Sequence, residues 1–256
     1  MAPDRAETAR AITRGLVVPC YNEERRLPIE ALRTLHRLRP DVHLFLVDDG
    51  STDGTFALFE RARSELGASS VTAHRLQRNS GKAEAVRIGM QTCLARGASV
   101  VGYADADFAT PPEEILRLLS ILEESTYKVV LGSRVLRLGS DIQRSPVRHI
   151  LGRVFATLAS NAIDVAVYDT QCGAKWFRSG EVLDHAIDRP FGSRWVFDVE
   201  LIARLMGRLG DQPHWPDEAF LEVPVRAWRD VSGSKLSLPS MAGSLGELGR
   251  LWLKRW

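Results

Sequence analysis

Cysteine is scarce in this chain: Cys20, Cys93 and Cys172 stand far apart without metal-ligand spacing, which excludes a zinc ribbon and a disulfide framework and points to a reducing compartment. Net charge is also nearly absent. With 34 basic against 32 acidic residues the formal charge is +2, so nothing supports a nucleic-acid binder working by bulk electrostatics. Long apolar runs are missing too: no stretch approaches the ~18 residues of a membrane span, and the N-terminal MAPDRAETARAITR has acids where a signal peptide has its apolar core. These absences predict a cytoplasmic protein with no transmembrane span. No internal repeat or low-complexity tract is present. What remains, 45% hydrophobic and 26% charged residues, suffices for a full globular core.

Short β-branched runs alternate with stretches of helical period. ITRGLVVP precedes PIEALRTLHRL, HLFLVDDG precedes TFALFERARSEL, SVTAHRL precedes KAEAVRIGMQTCLA, SVVGYADA precedes PEEILRLLSILEE, and YKVVLGSR follows. This order predicts βαβ units and a mainly parallel α/β sheet flanked by helices, whose ligands sit at the carboxyl ends of the strands. The turns after the strands, PCYNEE, DDGSTDGT, RNSGKAE and DADFATPP, therefore fall on one edge. Beyond residue 134 the pattern changes to a polar, basic RLGSDIQRSPVRH, a helical LGRVFATLASNAI, a loop DTQCGAKWF, a helix WVFDVELIARLMGRL, a late strand AFLEVPVRAW and a loop DVSGSKLSLPS.

Three carboxylates in the six residues 48 to 53 exceed what capping requires, and Asp48 or Asp49 at a strand end can accept a base N–H or a ribose hydroxyl. The glycine turn of RNSGKAEAVRIG lacks the spacing of a Walker loop. Beside an acidic edge, its Lys82, with Arg87 nearby, can still serve a diphosphate. Asp105 and Asp107 in YADADF, two apart in extended chain, repel by roughly 3 kcal/mol at ~6 Å and an effective dielectric near 20. A fold that keeps them needs something positive beside them, and a hard divalent cation shared with a nucleotide's phosphates fits. The bland reading, a solvated turn in which Asp107 helps cap the helix opened by Pro111 and Pro112, stands beside it.

In order and spacing, PCYNEE, VDDGSTDGT, NSGKAEAVRIGM, YADADF and LGSR resemble the catalytic core of the GT-A, family 2 glycosyltransferases. RSPVRH, DTQCGAKWF, RWVFDVEL and SGSK resemble more closely the dolichyl-phosphate β-glucosyltransferase and polyprenyl-phosphate sugar synthase branch, over about residues 12 to 240. The resemblance implies a GT-A fold, a UDP- or GDP-hexose donor with glucose favoured over mannose, Mg²⁺ or Mn²⁺, and inversion at the anomeric carbon. It implies nucleotide contacts at Pro19, Tyr21 and Glu23, base binding at Asp49, a diphosphate lysine at Lys82, and a DxD motif at Asp105 and Asp107. Ala109 stands where the related mannose synthases carry a glutamine as a further metal ligand.

A phosphate-monoester acceptor is already anionic and needs cations rather than a base. Arg134, Arg144, Arg148, Arg194 and Lys235 are the candidates, Arg134 and Arg148 matching the family's acceptor-phosphate arginines and Lys235 its GSK loop. A hydroxyl acceptor, on a small molecule, protein or glycan, would instead need a base, for which Asp198 or Glu200 is available. A nucleotidyltransferase also pairs acids with a nucleotide pocket, but PCYNEE stands where its glycine-rich signature belongs.

The expected organisation is a tail at 1–11, a glycosyltransferase domain at 12–240 with its nucleotide-sugar half at 12–134 and its acceptor half at 135–240, and an amphipathic helix at 241–256. In that helix Met241, Leu245, Leu248, Trp252 and Trp256 share one face, with Arg250 and Lys254 opposite. The stripe suits either packing on the protein or peripheral contact with the cytoplasmic membrane face.

Overall fold

The computed structural model describes residues 11–143, 146–193, 196–210, 212–231, 243, 246–250 and 253, the side chains of 146–151, 162 and 163 excepted. The apolar runs of the first half become strands β1 (Arg14–Cys20), β2 (Val42–Asp48), β3 (Val71–Arg75), β4 (Val100–Ala104) and β5 (Val129–Ser133). Between them lie helices α1 (Ile29–Leu38), α2 (Thr55–Leu66), α3 (Lys82–Ala95) and α4 (Pro112–Glu123). The second half adds β6 (Asp141–Gln143), α5 (Pro146–Ile163), β7 (Ala174–Arg178), α6 (Glu181–Ile187), α7 (Phe197–Leu205), β8 (Phe220–Pro224) and β9 (Ala227–Arg229).

The seven-stranded sheet runs β3-β2-β1-β4-β7-β5-β8, and every pairing is parallel except those of β7, which is antiparallel to both β4 and β5. Strand residues alternate between two apolar layers, so both faces of the sheet are covered. Val17, Phe45, Val47, Val101 and Tyr103 join residues of α3, α6 and α7 on one face. Leu16, Val18, Leu44, Leu46 and Val100 join residues of α1, α2 and α4 on the other. The mainly parallel α/β sheet expected from the alternation is present.

Three elements differ from the sequence expectation. DTQCGAKWF is not a loop throughout: its end forms β7, inserted between β4 and β5, and Lys175 near the start and Arg178 at the end disguised a strand whose other residues are apolar. The expected late strand is two, β8 in the main sheet and β9 paired with β6. The helix expected from Leu151 starts at Pro146, a residue whose fixed φ suits a first turn. The main sheet therefore takes β7 and β8 from the half expected to serve the acceptor. All three cysteines are buried, and none is in a disulfide. Among the described residues no helix is long and apolar enough to cross a membrane.

Candidate active site

The carboxyl ends of β1 and β2 release two turns that are stapled to each other. Asn22, at φ 51°, donates its backbone N–H to Ser51 Oγ at 2.9 Å, and its Oδ1 accepts from Thr52 N at 2.9 Å. Glu23 N donates to Thr55 Oγ1 at 2.8 Å, while Asp53 accepts from the Thr55 amide at 3.0 Å. Asp53 is thus absorbed by an Asx turn leading into α2, whose N-cap position is Gly54.

Asp48 and Asp49 are buried, and both are held by backbone amides. Asp48 Oδ1 accepts from Ser51 N at 2.8 Å, and its other oxygen lies 3.2 Å from Arg75 Nε. Asp49 accepts from Ser80 N at 2.6 Å and Gly81 N at 2.8 Å, tying the glycine turn ahead of α3 to the end of β2. Gly50, at φ +71°, lies so close to Arg78 and Asn79 that a Cβ would meet their backbone, so the junction of the two loops requires glycine. Pro19, next to last in β1, is buried, and Tyr21 and Glu23 follow at the same edge.

Asp105 and Asp107 do not extend β4, which stops at Ala104; they sit in a tight turn instead. Phe108 N donates to Asp105 O at 3.0 Å, Ala109 N donates to Asp107 Oδ1 at 3.1 Å, and Phe108 adopts φ 47°, an uncommon conformation for a bulky residue. The positive partners sought for this pair belong to the chain. Lys82 Nζ donates to Asp105 Oδ1 at 2.5 Å, and Arg26 Nη2 donates to Asp107 Oδ2 at 2.8 Å. Arg26 also reaches Glu23 at 3.3 Å. Arg87, by contrast, spends its charge on Glu84 at 2.6 Å and on the carbonyls of Ile187 and Asp188, away from the acid pair.

Burial would raise the Asp105 carboxyl, but the Lys82 ammonium holds it below the usual range. Asp107 is raised, first by burial and then by the charge of Asp105. One carboxylate is thus secured by a cation while its neighbour resists ionisation, as expected of two acids sharing a site. Burial would lower Lys82, yet Asp105 and then Asp198 raise it, and its ammonium stands 5.6 Å from the centre of the Phe197 ring.

Gly173, just before β7, supports this turn from below. Asp105 N donates to Gly173 O at 2.9 Å, and a Cβ on Gly173 would land inside the Asp105 carboxylate. Deeper lies a second Lys–Asp pair: Lys175 Nζ donates to Asp198 Oδ1 at 2.6 Å and to Cys172 O at 2.5 Å, and Tyr103 donates its hydroxyl to the same Asp198 oxygen. Burial, then Asp198, push the Tyr103 hydroxyl well above its ordinary range.

Neither acid considered as a base is poised as one. Asp198 is committed to Lys175 and Tyr103. Glu200 accepts from Gly192 N and Ser193 N, both at 3.1 Å, and from Arg204 at 2.8 Å. Arg134 is likewise engaged: its Nε and Nη2 grip Asp169 at 2.7 and 2.8 Å, and Arg134 N donates to the same carboxylate at 3.0 Å. Against burial, Arg134 pulls Asp169 far below the carboxylate range. Arg148 lies on α5 with its side chain outside the described residues, as are Arg144, Arg194 and Lys235 entirely.

Sequence reasoning missed Arg26, Asp169, Gly173 and Lys175. Each acts across the fold, and the only local signal was that three of them fall within DTQCGAK. Beside Lys82, a cavity of about 240 Å³ is lined by Ser80, Ala83, Glu84, Pro190, Phe191 and Ser193. Ser193 Oγ is buried there without a partner.

An α/β sheet with paired acids, a glycine turn and a lysine on one carboxyl edge is the architecture of enzymes that bind phosphorylated ligands there. A family model described as Glycosyl transferase family 2 matches residues 16–182. The chain belongs to that family, has its GT-A fold, and is a glycosyltransferase. It is 32% identical to a human dolichyl-phosphate beta-glucosyltransferase over 87% of this chain and 69% of that protein. It is 34% identical to a polyprenol monophosphomannose synthase of Mycolicibacterium smegmatis over 90% of this chain and 83% of the relative. Among solved structures, glucosyl-3-phosphoglycerate synthase from Mycobacterium tuberculosis in complex with Mn²⁺, uridine-diphosphate and glucosyl-3-phosphoglycerate superposes with a TM-score of 0.63. That match has 20% identity and covers 95% of this chain and 80% of that one.

Proposed function

We propose that this glycosyltransferase moves a hexose, glucose rather than mannose, from a UDP- or GDP-sugar to a polyprenyl phosphate, inverting the anomeric centre and depending on Mg²⁺ or Mn²⁺. The observation that carries the reading is the acid pair Asp105 and Asp107, neutralised by the chain's own Lys82 and Arg26 at the strand edge where a diphosphate would lie. The donor set fits a hard divalent cation. Two carboxylates face one turn, and since no three His, Cys, Asp or Glu side chains gather as a metal group among the described residues, diphosphate oxygens or water would complete the shell. When bound, such an ion neutralises the charge that develops on the departing nucleoside diphosphate.

Asp105 and Asp107 would hold the ion, Lys82 and Arg26 would then be available to the anionic donor, and Asp49 fixes the loop against which the base and ribose would rest. The turn residues Pro19, Tyr21, Glu23 and Asp48 complete the nucleotide wall. The cavity beside Lys82 has the lining to seat the hexose. On the acceptor side, Arg144, Arg148, Arg194 and Lys235 would hold the phosphate, and Arg134 would join them by sharing its guanidinium between the phosphate and Asp169.

Two findings support an acceptor that brings its own negative oxygen. Both candidate bases, Asp198 and Glu200, are buried and already paired. The relatives at 32% and 34% identity are, by name, a dolichyl-phosphate beta-glucosyltransferase and a polyprenol monophosphomannose synthase. The cytoplasm, or the cytoplasmic face of a membrane, is the location that this chemistry favours.

The test is a panel of UDP- and GDP-sugars with Mn²⁺, with and without a short-chain polyprenyl phosphate, scored for nucleoside diphosphate release. Release should need the lipid phosphate, should fall in Arg148→Ala, and should survive in Asp198→Asn when corrected for folded protein. Loss confined to Asp198→Asn, with a hydroxyl acceptor accepted, would establish the base-dependent reaction instead. Pyrophosphate as the product would indicate nucleotidyl transfer.

A further inference from the structure

Beside the acid turn the chain builds a small second sheet, β6 with β9, that is laced to its surroundings. Val225 N donates to Ser133 O at 2.9 Å as the chain leaves β8, Asp141 N donates to Arg226 O at 2.7 Å, Arg229 N donates to Ala109 O at 2.9 Å, and Asp230 N donates to Gln143 O at 3.1 Å. From α4, Glu114 accepts from Arg226 N at 2.8 Å and Arg117 donates to Pro224 O at 2.9 Å. The segment around β9 is thus tied both to the residue before Arg134 and to the second residue after Asp107.

Of the three residues of β9, Trp228 alone is buried. It stands opposite Ile142 of β6 and packs with Ala109 and Val225 in an apolar cluster separate from the two layers that cover the main sheet. Any apolar side chain of fitting size would serve that cluster. The aromatic ring does something more: the guanidinium carbon of Arg134 lies over it, 5.5 Å from the ring centre, within the range at which a cation is drawn to an aromatic face, tryptophan most strongly.

Two contacts therefore set where this guanidinium stands. Asp169 takes Nε and Nη2, at 2.7 and 2.8 Å, and among the described residues nothing accepts from Nη1. The side chain is 14% exposed, so the remaining N–H groups of the fork are within reach of an anion. A carboxylate pair alone leaves the fork free to swing about the line of its two bonds. A second contact, to the ring, removes that freedom.

We propose that Trp228 is a positioning residue for the acceptor: it holds the Arg134 guanidinium against Asp169 in the setting from which the remaining donors meet the acceptor phosphate. The ring touches no substrate and acts through Arg134. The inference deepens the acceptor reading of Arg134 and rests on it. The strand that carries the ring also bonds to Ala109 O, so the acid turn and the acceptor arginine share one support.

Steady-state kinetics with a short-chain polyprenyl phosphate, and the nucleotide sugar that supports release with it, tests the assignment. Trp228→Leu keeps the cluster apolar but removes the ring; it should raise the acceptor KM about tenfold while the donor KM and kcat stay within about twofold. Inhibition by inorganic phosphate should weaken by the same factor, which separates the phosphate contact from any contact with the lipid chain. Trp228→Phe should recover most of the affinity, and Trp228→Met gives the same comparison should Trp228→Leu not fold. Arg134→Lys keeps a charge for Asp169 but loses the fork, so it should raise the acceptor KM, and adding Trp228→Leu to it should change little further. An unchanged acceptor KM in Trp228→Leu, an equal loss in Trp228→Phe, a full further loss in the double variant, or donor and acceptor KM rising together would overturn the inference and leave the acceptor reading standing. No turnover of polyprenyl phosphate by the intact chain, or an unchanged acceptor KM in Arg134→Lys, would remove the acceptor reading of Arg134 and the inference with it.

Discussion

Two lysine–aspartate pairs lie in this protein with nearly the same contact distance and opposite meanings. Lys175 and Asp198 meet at 2.6 Å with their side chains 0% and 5% exposed; Lys82 and Asp105 meet at 2.5 Å with theirs 40% and 37% exposed. The first pair is enclosed by Tyr103 and Cys172, so neither charge can be surrendered without leaving the other stranded in the core. The second faces an edge where water, an ion or a phosphate can replace either partner. Burial, more than chemistry, separates a strut from a site. The strut also serves the site, since the Asp198 charge helps to hold Lys82 protonated.

The sharpest way to break this comparison is to remove one lysine at a time. Lys175→Met should cost about 3–5 kcal/mol in a denaturant melt, because Asp198 is left buried with a single hydroxyl donor. Lys82→Met should cost about 1 kcal/mol or less, as surface ion pairs do, yet should remove most turnover. Equal stability losses would mean that the two pairs play the same part.

A subtler break acts on the turn beneath Asp105. Gly173→Ala should lower turnover about 10²-fold by displacing the carboxylate, with donor release as the readout, while the fold persists. Unchanged turnover would show that Asp105 need not stand where it does.

A pH slope remote from the site is a control on reading burial as structure. His43, 3% exposed, pairs through Nδ1 with Ser69 O at 3.0 Å and through Nε2 with Thr72 Oγ1 at 2.8 Å. Burial, and then the charge of Arg96, lower its pKa from 6.5 to about 4. The folded state therefore favours the neutral ring. Its contribution is complete above pH ~6.5 and is lost as pH falls towards 4, with a ceiling of roughly 3 kcal/mol. Chemical melts across that window should show the slope in the native chain and a flatter one in His43→Gln.

The parts of the fold visible in the sequence were those set by local period. TFALFERARSEL and KAEAVRIGMQTCLA are α2 and α3 residue for residue, and four glycine- or acid-rich turns fall on one edge as expected of parallel strands. What escaped reading was non-local. Strand β7 pairs with a strand some seventy residues earlier and carries a lysine whose partner lies on α7. Arg26 meets Asp107 across 81 positions, and Arg134 meets Asp169 across 35. No period or motif encodes such pairings; they exist only once the sheet brings β1, β4, β5 and β7 side by side. The acceptor arginines illustrate the same limit, since a sequence that supplies a cation does not say whether an acid elsewhere has already claimed it.

As proposed, Asp105 and Asp107 would take up a divalent ion in exchange for Lys82 and Arg26, and Mn²⁺ titration followed by electron paramagnetic resonance measures that exchange. Binding by the native chain should be weak alone and should strengthen about tenfold or more when UDP is added, because the diphosphate accepts the released cations. It should be lost in Asp105→Ala and should tighten in Arg26→Met without nucleotide. Mn²⁺ affinity that is the same in the native chain, Asp105→Ala and Asp107→Ala would contradict the account.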